Sequence, residues 1–203
     1  MTITPAPAPD PMQPGAPSHG LAHGGHNLTG MVIFLLSESV IFLAFFAGYA
    51  VLKLSSPVWL PAGVEGLEVR EPLINTVVLV SSSFVAWAAE TRLGRGQLWA
   101  FRGLWLLTMA MGTWFVIGQA IEWRHLAFGL GSGVFGGTFF LLTGFHGLHV
   151  ITGILLMGLM LGRSFRPGNY DGGDAGVTAV SLFWHFVDVI WVVLFLLLYI
   201  WRR

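Results

Sequence analysis

Six ionisable side chains and one amide sit in or beside apolar stretches that should not tolerate them. Glu38 stands in LLSESVIF, between Ser37 and Ser39; His146 and His149 share TGFHGLHVITG; His185 and Asp188 share SLFWHFVDVIW; Gln119 and Glu122 lie in GQAIEW. A carboxylate or ammonium at mid-bilayer costs about 2.5–3.5 kcal/mol on insertion scales. Such groups therefore face protein and pair, and each is a candidate functional residue. Three chemistries are open to them: holding or passing a proton, ligating a metal or haem, or hydrogen-bonding one helix to another. A buried acid such as Glu38 can be proton-linked, its charge set by its surroundings. His146 and His149, as i and i+3, share a helix face, but they are not the HExxH of a zinc helix. Both can instead pin neighbouring helices. Asp188 is expected to bond backbone or a Ser/Thr hydroxyl, and Gln119 and Glu122 read as interfacial or helix-packing groups.

The elements that carry these residues follow from the hydropathy. Hydrophobic residues make up 55% of the 203, charged residues 10%, and the mean hydropathy is +0.74. Soluble domains carry about 25% charged residues, so this chain requires lipid as solvent. Five stretches approach the ~20 apolar residues of a membrane helix: 30–52, 73–90, 101–121, 136–162 and 178–201. Strand-like alternation is absent, and backbone in lipid must satisfy itself, which leaves helices. The expected fold is an all-α membrane protein, a bundle of five transmembrane helices. Residues 1–29, rich in Pro, Ala, Gly and His and without Lys or Arg, read as a disordered or extended arm. They lack the pattern of a secretory signal. His19, His23 and His26 there read as linker residues before metal ligands.

Helix rise sets depths at about 1.5 Å per residue. Spans one and five start on the same side. Glu38 and His185 then lie roughly 11–12 Å in, so a Glu38–His185 contact is open if the two helices are neighbours. His149 lies roughly 21 Å from that face, about 10 Å from His185, which disfavours paired axial ligands for a haem. The absence of cysteine excludes disulfides and thiolate-bound metals. A formal net charge of +0 argues against nucleic acid as a partner. Basic residues divide five and five between the two faces, and the Arg-dense connection between spans two and three tips the orientation to a cytoplasmic N-terminus. Gly158 and Gly162 form a GxxxG, which permits close helix approach. Trp59, Trp99, Trp123 and Trp201 fall near span ends, where they can anchor at headgroup level.

Five stretches in one order, LLSESVIFLAFFAGY, NTVVLVSSSFVAWAAE, GQAIEW, TGFHGLHVITG and SLFWHFVDVIW, resemble subunit III of the haem-copper respiratory oxidases. The resemblance runs from Asn27 to Trp201 and is nearest to the cyanobacterial cytochrome c oxidase branch. It implies a non-catalytic subunit of an oxygen-reducing, proton-translocating complex. Oxidase subunits I and II would be its partners and would hold the haem and copper, while this chain binds none and carries phospholipid. It implies support of proton uptake and of the stability of the catalytic subunit. By the same resemblance Glu38 matches a carbodiimide-reactive glutamate, His185 the histidine of a WHFVD motif, and His146 and His149 a GFHGxHV motif. The implied location is a respiratory membrane, the bacterial plasma membrane or a thylakoid. Two N-terminal helices of the longer, seven-span members have no counterpart here. The electron donor stays open, so a quinol oxidase subunit or the related accessory protein of nitric oxide reduction are alternatives. A small proton-coupled transporter, with Glu38 and His185 as relay, is the rival of a different class.

Overall fold

The computed structural model describes residues 19–60, 67–168, 170 and 174–201, with side chains from Leu28 onward. Among them are five helices: α1 (His19–Ser55), α2 (Arg70–Gly94), α3 (Leu98–His125), α4 (Gly133–Ser164) and α5 (Ala175–Phe195). A π-helical turn, Leu196–Ile200, continues α5. Each is long and apolar enough to cross a membrane, over Leu28–Ser55, Arg70–Gly94, Leu98–His125, Gly133–Ser164 and Ala175–Ile200. These bounds exceed the hydropathy spans by a few residues at most ends, because a helix continues into the headgroup layer. The 32 residues of α4 would reach roughly 48 Å, beyond a ~30 Å hydrocarbon core, so it tilts or protrudes.

The N-terminal expectation changes. α1 begins at His19, so residues 19–29 are helical and not an extended arm. The last proline before them is Pro17. A helix already nucleated by its span extends outward at about 1 kcal/mol per glycine. Residues 1–18 and the side chains of His19, His23 and His26 lie outside the described residues.

Local chemistry accounts for the ends. Pro72 sits in the first turn of α2, where its missing N–H is no loss. The reversal into α3 uses Gly96 at φ +74°, a conformation that glycine adopts without penalty. It is closed by Gly96 N–H to Leu93 O at 2.8 Å and Gln97 N–H to Arg92 O at 2.9 Å. α2 and α3 form the most extensive helix pair, and α5 is central, packing on α1, α2 and α4. α1 leans mainly on α5 and meets α4 through side chains, with Phe42 and Phe45 against Phe145 at 5.3 and 5.2 Å.

The glycines that allow close packing are not the GxxxG pair. A Cβ on Gly158 would make an ordinary contact with Met109, and one on Gly162 would meet nothing within 4 Å. Gly112 of α3 and Gly153 of α4 instead flank the buried indole of Trp184, where Cβ atoms would fall 2.4 and 2.7 Å from ring carbons. At one membrane face, the Arg102 guanidinium lies between the rings of Trp99 and Phe165, at 5.3 and 4.3 Å. It donates from Nε to Ser164 Oγ at 3.0 Å and from Nη2 to Ser164 O, tying the start of α3 to the end of α4. At the other face, the π-helical turn presents Leu197 O to the Tyr49 hydroxyl at 3.1 Å, and Lys53 donates to Trp201 O.

Candidate functional site

Three polar groupings emerge, and they pair the candidate residues differently from the depth comparison. The first joins α1 to α4. Glu38 Oε2 is 3.2 Å from His149 Nε2, the one ion-pair geometry among the described residues. His149 Nδ1 is 2.8 Å from Phe145 O, one turn back on its own helix. A carbonyl can only accept, so Nδ1 carries a hydrogen. The Nε2···Oε2 contact then needs one more proton, either on Nε2 with Glu38 ionised or on Glu38 with a neutral ring. Either arrangement places one hydrogen between the two heteroatoms. Ser37 and Ser39 do not serve it: their hydroxyls donate to Ile33 O at 3.1 Å and Leu35 O at 2.7 Å.

The rings of Phe42, Phe145 and Phe183 surround the imidazole, at centroid distances of 5.1, 4.9 and 6.2 Å. Beside it opens an apolar slot of about 250 Å³ between α1 and α4, lined by Met31, Phe34, Leu148, Leu156 and others. Both partners keep a small window, with side chains 13% and 15% exposed.

The expected Glu38–His185 contact is therefore not formed; Glu38 meets His149, and His185 turns to α2. Glu38 and His185 do lie at one level, since Phe34 meets Phe183 at 6.3 Å and Phe42 meets Phe186 at 6.2 Å. The contact is absent because the His185 ring points to α2, with Nδ1 3.0 Å from Ser83 Oγ, while His149 reaches the same level, 6.2 Å from the Phe183 ring.

The second grouping runs along α2 and α5 in antiparallel register. Ser83 Oγ donates to Asp188 Oδ2 and lies 3.0 Å from His185 Nδ1. One hydroxyl has one hydrogen, so Nδ1–H must donate to Ser83. His185 Nε2 then faces Ser181 Oγ at 3.4 Å. Trp184 Nε1–H donates to Ser82 Oγ and Trp191 Nε1–H to Thr76 Oγ1, both at 2.9 Å. Thr178 Oγ1 donates to Glu90 Oε1 at 2.7 Å. Asp188 Oδ1 is buried without a partner among the described residues.

The third grouping lies near the far end of α3. Gln119 Nε2 donates to Glu122 Oε2 at 3.0 Å, and the Tyr199 hydroxyl to Glu122 Oε1 at 2.8 Å. His146 joins none of the three. It is fully buried and stacked on Trp191 at 4.9 Å, with Phe115 at 5.8 Å. Neither ring nitrogen has a hydrogen-bond partner among the described residues, so the helix-pinning bond expected of His146 is not formed among them. Among the described residues no three His, Cys, Asp or Glu side chains gather as a metal site.

Sequence reasoning passed over Ser83, Ser82, Thr76 and Tyr199. The signal available was the hydroxyl run SSS inside an apolar span. Small polar residues are common at membrane helix contacts, and the run does not say which helix they face.

Fold and site together define an integral-membrane helix bundle whose buried polar groups pair between its own helices. The family model described as cytochrome c oxidase subunit III matches residues 18–203. The chain is 42% identical over 187 residues to cytochrome c oxidase subunit 3 of a Synechocystis strain, covering 89% of this chain and 80% of that protein. It is 42% identical over 189 residues to that of Thermostichus vulcanus, covering 93% and 94%, and 37% identical over 179 residues to that of Lumbricus terrestris, covering 85% and 69%. The chain belongs to the cytochrome c oxidase subunit III family, and its class of function is that of subunit III of a terminal oxidase.

Proposed function

We propose that this chain acts beside oxidase subunits I and II, leaves haem and copper chemistry to them, and uses the Glu38–His149 pair to hold and exchange a proton near the uptake side. The observation that carries this is the direct Glu38 Oε2–His149 Nε2 contact at 3.2 Å, with His149 Nδ1 tied to Phe145 O. A shift of the proton from imidazole to carboxylate leaves the pair's net charge unchanged; release of that proton to an outside acceptor would leave the pair at −1, and uptake from an outside donor would restore it to zero. The adjacent apolar slot is assigned to a phospholipid acyl chain. The N-terminus is assigned to the cytoplasmic side on the Arg-dense connection between α2 and α3, and cytochrome c is taken as the electron source from the names of the relatives.

Gentle solubilisation tests the assembly. The chain should copurify with haem-bearing partners and show no visible absorbance when separated from them. A haem band in the isolated chain overturns the assignment. Glu38→Gln tests the pair. The amide accepts or donates one hydrogen bond but cannot exchange the proton. Assembly should survive, carbodiimide labelling should vanish, and the enzyme should lose activity after fewer turnovers. Loss of assembly in Glu38→Gln would show that the pair is a structural tie only.

A further inference from the structure

A cavity of about 780 Å³ opens between the start of α2 and the end of α3, on the membrane face opposite the Arg-dense connection. Glu68, Glu71 and Glu122 line it, with apolar wall from Trp114 and Phe128. Neither Arg70 nor Arg124, its neighbours in sequence, contributes to the lining. Glu122 is already bonded by Gln119 and Tyr199. Glu68 and Glu71 are exposed to the opening and make no ion pair among the described residues. His125, also in the lining, is tied to its own helix through Nδ1 and Ile121 O at 2.9 Å.

We infer that this cavity is a docking socket for an arginine- or lysine-bearing segment of another oxidase subunit. The inference rests on the proposed assembly with oxidase subunits and names where one of them seats. Charge complementarity selects the occupant. Two unpaired carboxylates beside an apolar wall call for a cation that arrives with apolar neighbours. A phospholipid amine brings its phosphate with it, which the Glu68 and Glu71 carboxylates repel. A free polyamine leaves the wall around Trp114 and Phe128 uncovered. A basic side chain at the interfacial end of a membrane segment meets both demands.

The test uses the assembled complex. A photoreactive p-benzoyl-phenylalanine replaces Ala127, which lines the socket, and the adduct is mapped by mass spectrometry. The expected adduct is a peptide of a copurifying oxidase subunit that contains Arg or Lys. Glu68→Lys with Glu71→Lys should abolish the adduct. It should also cut that subunit's retention on this chain by roughly 30-fold, the order expected when a desolvated charge pair is broken. The milder Glu68→Gln with Glu71→Gln should weaken retention and flatten its salt dependence without adding repulsion. An adduct to lipid, or to residues 61–66 or 202–203 of this chain, overturns the inference. So does an intact complex with no adduct and unchanged retention; the assembly assignment survives that result. Recovery of the chain without any oxidase subunit removes both.

Discussion

Replacing Gly112 by alanine should destabilise the bundle, although alanine is the better helix former. The added Cβ would sit 2.4 and 2.9 Å from Cη2 and Cζ2 of Trp184. Carbon atoms rest at about 3.5–4.0 Å, so the indole must retreat by about 1 Å. It has nowhere to go. Its other edge already abuts Gly153, where even a Cβ would fall 2.7 Å away. Its Nε1–H is held by Ser82 Oγ at 2.9 Å, and a shift of that size would break the bond. Overpacking costs about 1–3 kcal/mol, and a lost interhelical hydrogen bond in a membrane averages about 0.6 and reaches about 1.7. The helix-propensity gain of alanine over glycine is about 1 kcal/mol. The net should be about 1–4 kcal/mol of destabilisation. Gly103, on the same helix with nothing within 4 Å of a built Cβ, is the control: Gly103→Ala should be neutral or stabilising by up to about 1 kcal/mol. Detergent-denaturation midpoints of the purified complex give the comparison. In the double variant Gly112→Ala with Trp184→Phe, the smaller ring should relieve the clash and leave a coupling of at least about 1 kcal/mol. Equal midpoints for Gly112→Ala and Gly103→Ala, or strict additivity in the double variant, would refute the close-packing account.

Ser83→Ala strips Asp188 Oδ2 and His185 Nδ1 of their shared partner. It should cost about 1–3 kcal/mol on the same denaturation assay, while Asp188→Asn, which keeps an acceptor for Ser83, should cost less than Asp188→Leu. Tyr170 lies in the connection between α4 and α5. Burial pushes its phenol above its ordinary value, against the opposing pull of Arg163, and its hydroxyl donates to Met160 O at 2.7 Å. A raised folded value means that its contribution is complete below the unfolded phenol value of about 10 and is lost as pH rises through the folded one. The stability advantage of wild type over Tyr170→Phe should therefore shrink above about pH 10. A constant difference from pH 8 to pH 11 would rule this out.

The helices were legible because lipid leaves a hydrophobic run one outcome, a span with its backbone bonds closed on itself. Their ends were less so, since His19–Thr29 contains nothing apolar enough to count as span yet continues the helix of its neighbour. Glu38, His149, His185 and Asp188 stood out by type alone. Their partners did not, because pairing depends on axial offset and rotation between helices, and neither leaves a trace in hydropathy. Glu38 shares the level of His185 along α5, but rotation turns His185 to Ser83 of α2 and leaves His149 facing Glu38. The hydroxyls that receive α5, Ser82, Ser83 and Thr76, looked like ordinary small residues, and only the register of α2 against α5 gives them a role. Gly112 and Gly153 were hidden for a related reason: each serves an indole on a third helix and so forms no motif within its own.

Magnitudes separate Glu38 from the rest of the polar inventory. An interhelical hydrogen bond is worth about 0.6 kcal/mol on average in a membrane, whereas a carboxylate in mid-span costs about 2.5–3.5 kcal/mol to insert. A hydroxyl or amide would tie α1 to α4 more cheaply, so helix packing alone does not account for an acid there. Asp188 poses the same imbalance, but in a different setting. It sits in the core, and Ser83 stands between it and His185, so moving a proton between acid and imidazole requires two transfers through a hydroxyl. Glu38 and His149 face each other directly across 3.2 Å, and a single transfer interconverts their two states. Both also keep a small exposed window beside the slot between α1 and α4. The proposed proton exchange would therefore use this contact, in which acid and imidazole face each other directly.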